Sequence, residues 1–175
     1  MMVQWCHPEK LFIEKQDIGK IIGKGGRVKR LLEKELEVKI SVSRIGGVKI
    51  EGTPMQTYLA INVVSALILG FNIEAALQLK NHEFILEVHS IKDFAKSKSR
   101  QKEIKGRLIG TAGRVKEVIE ELGGVELSVK DNKVALLGKI EDVAAARDAV
   151  RSLLRGAKHS RIYKWLEHKS RRYKE

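Results

Sequence analysis

The stretch Ile21-Ile22-Gly23-Lys24-Gly25-Gly26-Arg27-Val28-Lys29-Arg30 decides the fold. Two apolar residues run into a glycine-flanked tetrapeptide, after which Val28, Leu31 and Leu32 recur at helical spacing. The pattern is a loop that opens a helix. Glycines allow positive φ and a close approach of the backbone, and the start of a helix offers unpaired N–H groups and a partial positive charge. A phosphate suits such a place. Lys20, Lys24, Arg27, Lys29 and Arg30 surround it, with no acidic residue between positions 19 and 30. The spacing is not that of a nucleotide-binding P-loop, which needs four residues between its glycines and then Gly-Lys-Ser/Thr, because here Lys24 is followed by glycine.

Moving 87 residues along the chain gives Leu108-Ile109-Gly110-Thr111-Ala112-Gly113-Arg114-Val115-Lys116, so Gly23, Gly26, Arg27, Val28 and Lys29 all recur. Gly52 and Gly70 recur as Gly138 and Gly156 at an offset of 86, a slip that a hairpin turn can absorb. The chain is therefore read as a tandem repeat. In the first copy the pattern predicts a strand at 10–15, a short helix at 16–22 and a helix at 27–36. A hairpin of strands 36–43 and 48–51 follows, and then a helix capped by Thr53 with Pro54 at its first position. The second copy predicts a strand at 84–89, helices at 102–109 and 114–122, strands at 125–129 and 133–137, and a helix at 141–154. Both copies read βααββα. A connecting helix at 72–80 and a C-terminal helix from Ser160, read as its cap, to about residue 174 lie outside the repeat. The segment 92–102, rich in lysine and serine, reads either as a loop or as an RNA-facing extension.

The net charge of +12 and pI near 9.8 call for an anionic partner, nucleic acid first. Seven Lys or Arg against two acids between residues 92 and 107, and eight against two between 155 and 175, gather the excess into patches. A single cysteine, Cys6, excludes an internal disulfide and a cysteine-based zinc site, which fits a reducing cytoplasm. The N-terminus lacks the pattern of a signal peptide and the longest apolar run is too short to cross a bilayer, so no membrane association and a cytoplasmic location are expected. No catalytic triad, carboxylate pair or metal set is visible. The expectation is a protein with no enzymatic activity, no cofactor and no metal. Trp5 and Cys6 receive no role. Tyr163 and Trp165 read as docking residues in preference to stacking platforms, and His82, His89 and His159 as surface or packing residues.

A βααββα unit whose first two helices are joined by Ile-Gly-x-x-Gly resembles a type I KH domain, and two such units resemble a tandem KH protein. The expected fold is thus α+β, with two type I KH domains in tandem, a linker helix and a C-terminal helical extension. The domain boundaries are 8–80 and 81–175. The linker Gly70-Phe71-Asn72-Ile73-Glu74-Ala75-Ala76-Leu77 and the ending 156–167 are similar to those of archaeal small-subunit ribosome assembly proteins related to the eukaryotic partner-of-Nob factor. That resemblance implies binding of single-stranded ribosomal RNA near the small subunit's 3′ end. It also implies assistance to the maturation endonuclease and contact with the α subunit of translation initiation factor two.

Carried onto this chain, the family's backbone clamp is Gly23, Lys24, Gly25 and Gly26, with Gly110, Thr111, Ala112 and Gly113 as its second copy. Lys20, Ile22, Arg27 and Arg30 flank the first, and Arg107, Arg114 and Lys116 the second. At about 100° per residue, Arg27, Arg30 and Lys34 share a sector of about 60° away from the apolar side. Glu117, Glu120 and Glu121 stand after the second loop where the first has Arg30, Glu33 and Lys34. The first loop is therefore expected to supply more electrostatic affinity. The alternative reading is a protein-interaction scaffold in ribosome biogenesis or translation initiation that touches RNA only non-specifically.

Overall fold

A computed structural model describes residues 9–43 and 45–172, with side chains over 13–43 and 45–168. Trp5, Cys6 and the start of the first domain at residue 8 lie outside the described residues, as do the predicted helix end at 174 and the chain end at 175. The chain divides into two compact units between Lys80 and Asn81.

In unit one, β1 (Glu9–Phe12) leads through a 3₁₀ turn (Lys15–Asp17) into α1 (Ile18–Ile22), and the loop Lys24–Gly26 into α2 (Arg27–Leu36). Strands β2 (Lys39–Val42) and β3 (Gly47–Glu51) form the hairpin, and β3 lies in the middle of an antiparallel sheet of order β1-β3-β2. Register follows the period of two: Ile40 faces Ile50 and Val42 faces Val48. Ile40, Val48 and Ile50 turn inward and meet Ile21 of α1 and Leu32 and Leu36 of α2, all buried. The long helix α3 (Pro54–Leu69) covers this core with Ala60, Val63, Val64 and Leu67. Its start is fixed by a capping box, in which the Gln56 amide donates to Thr53 Oγ1 at 3.4 Å and the Thr53 amide to Gln56 Oε1 at 3.0 Å. The connecting segment is α4 (Ile73–Leu77), capped by Asn72, followed by a 3₁₀ turn (Gln78–Lys80).

Unit two repeats this order: β4 (Phe84–Ser90), α5 (Lys98–Ile109), α6 (Arg114–Gly123), β5 (Val125–Lys130), β6 (Lys133–Lys139) and α7 (Ile140–Leu154), with sheet order β4-β6-β5. Gly52 and Gly138 recur for a packing reason. A Cβ at either would stand 3.0 Å from a methyl of Val38 or Val125, the residue that leads into the neighbouring strand.

Several bounds depart from the sequence expectations: β1 ends at Phe12, short of 15, and β2 begins at Lys39, three residues after its expected start, because Leu36 still belongs to α2. Helix α5 begins at Lys98, four residues before its predicted start, with Ser97 Oγ accepting from the Arg100 amide. The lysine-rich stretch is in part helix, and its first portion forms a 3₁₀ turn (Ile91–Asp93) anchored by fully buried Ile91. The C-terminal helix α8 (His159–Arg172) starts one residue earlier than predicted, so Ser160 lies within it and is not its cap. Buried Ile162 and Leu166 seat α8 on unit two, with Trp165 packed against the same core.

Candidate nucleic-acid interface

The two glycine loops share one backbone conformation. Gly23, Gly25 and Gly26 have φ/ψ of 68/176, 60/25 and 74/16°, and Gly110, Ala112 and Gly113 have 75/177, 51/28 and 82/0°. All six positions lie at positive φ, and Ala112 holds it without being glycine. The first glycine of each loop is required twice over. A Cβ on Gly23 would stand 2.5 Å from Val28 Cγ2, and one on Gly110 would stand 2.3 Å from Val115 Cγ2. Around Gly25 and Gly113, by contrast, nothing lies within 4 Å of such a Cβ. The loop is closed on the valine side and open on the other. Helices α2 and α6, which the loops open, have no side-chain cap, whereas α3 and α5 are capped by Thr53 and Ser97. The first amide of each helix bonds within the loop, Arg27 to the Lys24 carbonyl and Arg114 to the Thr111 carbonyl, and the partial positive charge of the helix start faces the loop with no side-chain oxygen on it.

Around the first loop, Lys24, Arg27, Arg30 and Lys34 are exposed, and among the described residues none of them makes an ion pair. The Arg30 guanidinium turns back over the loop, 3.8 Å from where a Cβ on Gly26 would be. Ile22 is half-buried beside it. Lys20 has a different occupation: its Nζ lies 3.1 Å from Asp17 Oδ1 and donates to the Ile68 carbonyl at 3.1 Å, near the C-terminal end of α3. Carbonyls at the end of a helix attract cations. Lys29 pairs with Glu33 at 3.8 Å, and Glu33 in turn accepts from the Ile40 amide at 2.8 Å, pinning β2.

The second loop repeats these devices. Arg107 occupies the place of Lys20 and donates to the Ala157 carbonyl at 2.6 Å, just past α7, while its own carbonyl meets His159 Nε2 at 3.0 Å. Lys116 pairs with Glu120 at 3.6 Å, and Glu120 accepts from the Leu127 amide at 2.8 Å. The recurrence of Lys29 as Lys116 is thus that of a structural bridge. Arg114 is exposed with Glu117 3.7 Å away, and it lies near Tyr163, whose phenol pKa burial raises while Arg114 opposes the rise. Thr111 and Ala112 are exposed at the tip of the loop. Close by, burial raises the Glu126 carboxyl pKa, with Glu120 adding to the rise and Lys116 opposing it. The second loop thus keeps the clamp backbone and has its nearby cations paired.

Residues 8–66 match the family model of the KH domain, and residues 85–171 match that of the eukaryotic type KH domain, KH-domain type I. A KH domain-containing protein of Methanocaldococcus jannaschii is 43% identical over 171 residues, covering 95% of this chain and 75% of that protein. Dim2p of Pyrococcus horikoshii superposes with a TM-score of 0.84 at 33% identity, over 93% of this chain and 99% of that one. The chain is a tandem KH protein of the Dim2p and Pno1 family.

A chain of the a/eIF2alpha–aDim2p–rRNA complex of Pyrococcus horikoshii matches this KH protein at 31% identity and a TM-score of 0.88, over 96% of each chain. Two eukaryotic relatives match over shorter spans. The RNA-binding protein pno-1 of Caenorhabditis elegans is 35% identical over 108 residues, 59% of this chain, and the pre-rRNA-processing protein pno1 of Emericella nidulans is 29% identical over 116 residues, 64% of this chain. The chain spans 39% and 45% of their lengths. The two Gly-x-x-Gly loops of the KH domains carry Lys-Gly in unit one and Thr-Ala in unit two. Among the described residues no group of three or more His, Cys, Asp or Glu could hold a metal, and no helix is long and apolar enough to cross a membrane.

Proposed function

We propose that this KH protein binds single-stranded ribosomal RNA through its two Gly-x-x-Gly clamps during maturation of the small ribosomal subunit, without catalysing a reaction itself. One observation carries the reading: both loops hold the same positive-φ backbone, closed on the valine side and open opposite, at helix starts without a side-chain cap. A KH clamp of this form grips the backbone of about four nucleotides and leaves base reading to the groove beside it. The names of the relatives support the choice of RNA. Relatives are an RNA-binding and a pre-rRNA-processing protein, and a structural neighbour comes from a complex with rRNA and a/eIF2alpha. By the same likeness the α subunit of initiation factor two is a protein partner, and the 3′-end maturation endonuclease is the enzyme this binding assists, in the cytoplasm.

The test is RNA binding by fluorescence anisotropy across a salt series. Lys24→Asp with Gly25→Asp places negative charge in the open side of the first clamp, where a new Cβ meets nothing. Affinity should fall at least tenfold, with an unchanged circular dichroism spectrum. Thr111→Asp with Ala112→Asp does the same in the second clamp and should weaken binding less, since that loop's cations are already paired. Unchanged affinity in both variants would sink the clamp reading, and equal affinity for every RNA sequence would favour a scaffold that touches RNA non-specifically.

A further inference from the structure

The second unit holds a feature the first lacks. Gly110 follows the end of β4 at Ser90 by 20 residues, whereas Gly23 follows the end of β1 at Phe12 by 11. The added length holds the 3₁₀ turn at 91–93 and the extended start of α5, and it is strongly basic. Lys92 and Lys96 on one side and Lys98, Lys102 and Lys105 on the other line an open hollow of about 680 Å³.

The walls of this hollow are fixed. Gln101 is buried, and its Nε2 donates to the Ala95 carbonyl at 2.8 Å and reaches the Lys96 carbonyl at 3.5 Å, holding the 92–96 turn against α5. The Ile91 amide donates to the Asn132 carbonyl at 2.8 Å, tying the same turn to the β5–β6 hairpin. Among the described residues none of the five lysines pairs with a carboxylate. The nearby Glu103 is engaged by Arg100 at 2.5 Å, on another face of the helix. Five like charges held around one hollow repel one another until an anion arrives.

The direction of the charge identifies that anion. On a helix at about 100° per residue, Lys98, Lys102, Lys105 and Ile109 fall within a sector of about 60°, roughly a quarter turn from buried Gln101, Ile104 and Leu108. At about 1.5 Å per residue, the lysines form a stripe about 10 Å long, and one helical turn further on the same line stands Ile109, the half-exposed residue before Gly110. We propose that the α5 lysines and the hollow beside them are a second phosphate-backbone site, which continues the path of an RNA strand away from the unit-two clamp. An acidic peptide could also meet lysines, but only a polyphosphate explains why the stripe runs into the clamp. The inference rests on the RNA-binding reading and adds a longer footprint to it.

The test uses the full chain with Lys98→Ala, Lys102→Ala and Lys105→Ala together, and two labelled single-stranded RNAs, a tetranucleotide and one of about 15 nucleotides. All three lysines are on the surface or half-exposed, so the fold should persist, checked by thermal melting. The long RNA should bind the triple variant at least tenfold more weakly. The slope of log K against log salt should fall by about 2, at about 0.7 for each lost phosphate contact, with tetranucleotide binding unchanged. An unchanged slope for the long RNA, while the Thr111→Asp, Ala112→Asp variant still weakens binding, overturns this inference and leaves the clamp reading standing. Lost binding of polyglutamate with unchanged binding of long RNA also overturns it, in favour of an acidic protein partner. Failure of the unmodified chain to bind either RNA overturns both readings.

Discussion

Gly23 and Gly26 both sit at positive φ, yet the structure assigns them very different costs on replacement by alanine. At φ/ψ of 68/176°, Gly23 lies in a region closed to nearly every other residue, a strain of order 1–3 kcal/mol. Its new Cβ would also stand 2.5 Å from Val28 Cγ2, 2.9 Å from Val28 Cβ and 3.0 Å from the Val28 amide nitrogen. Rotating the valine removes only the first of these conflicts. The other two require the backbone to move, and such overpacking costs about 1–3 kcal/mol. Gly23→Ala should therefore destabilise unit one by about 4 kcal/mol. Gly26→Ala has only the left-handed penalty of about 1–2 kcal/mol, because the nearest atom, on Arg30, is 3.8 Å away. Urea unfolding monitored by circular dichroism, with m of about 1–3 kcal/mol/M, should separate the two midpoints by about 1 M or more. The milder Gly26→Ala should remain folded and still lose RNA affinity, since its methyl enters the open side of the clamp. Midpoints that coincide, or a Gly23→Ala variant the more stable of the two, would refute the reasoning. Gly110 and Gly113 form the matching pair in unit two.

Ala112 holds φ 51° where unit one has Gly25, so Ala112→Gly should stabilise unit two by up to about 1 kcal/mol, read as a rise in its unfolding midpoint. Lys20→Ala removes a partner of buried Asp17 and of the Ile68 carbonyl; it should cost about 0.5–1.5 kcal/mol in urea unfolding while the salt slope of RNA binding stays unchanged. Glu126 binds its proton more tightly in the folded chain than in the unfolded one, so its contribution to stability falls as pH rises from the ordinary value of 4.5 through the raised one. Glu126→Gln should accordingly raise the melting temperature at pH 7 and raise it less, or not at all, at pH 4; an equal or larger gain at pH 4 would contradict the assignment.

The repeat, the two glycine loops and most of the element order were legible because each rests on a local rule. Helix α2 runs over the predicted residues Arg27–Leu36, and the Thr53-Pro54 start of α3 is where capping chemistry places it. The start of α5 was not legible, for a specific reason. Its buried stripe is Gln101, Ile104 and Leu108, and the first of these fills a core position through hydrogen bonds to the Ala95 and Lys96 carbonyls, not through an apolar side chain. The hydrophobic period therefore fades among serines and lysines. Lys20, Arg107, Lys29 and Lys116 have contacts within the fold that their spacing did not show. Their spacing from the glycines is regular, but the regularity comes from a carbonyl at the far end of a third helix and from a glutamate that pins a strand. The Ile68 and Ala157 carbonyls lie 48 and 50 residues from Lys20 and Arg107, whereas the glutamates stand at i+4 and only their bonds to the Ile40 and Leu127 amides reach beyond the motif.

The two units place their exposed cations differently about the glycine loop. In unit one, Arg27, Arg30 and Lys34 are exposed on α2, just after the loop. In unit two the helix after the loop, α6, packs against α8, with Arg114 near Tyr163. There Glu117 and Glu120 pair with Arg114 and Lys116, and with Glu121 they remove the charge that a phosphate would use. Unit two restores it on the other side of the clamp, along α5, where β4, the 91–93 turn and the β5–β6 hairpin leave a face that α8 does not cover. The same backbone clamp is thus served by cations downstream of its glycines in one unit and upstream in the other, so the phosphates each unit neutralises should lie on opposite sides of the clamped nucleotides.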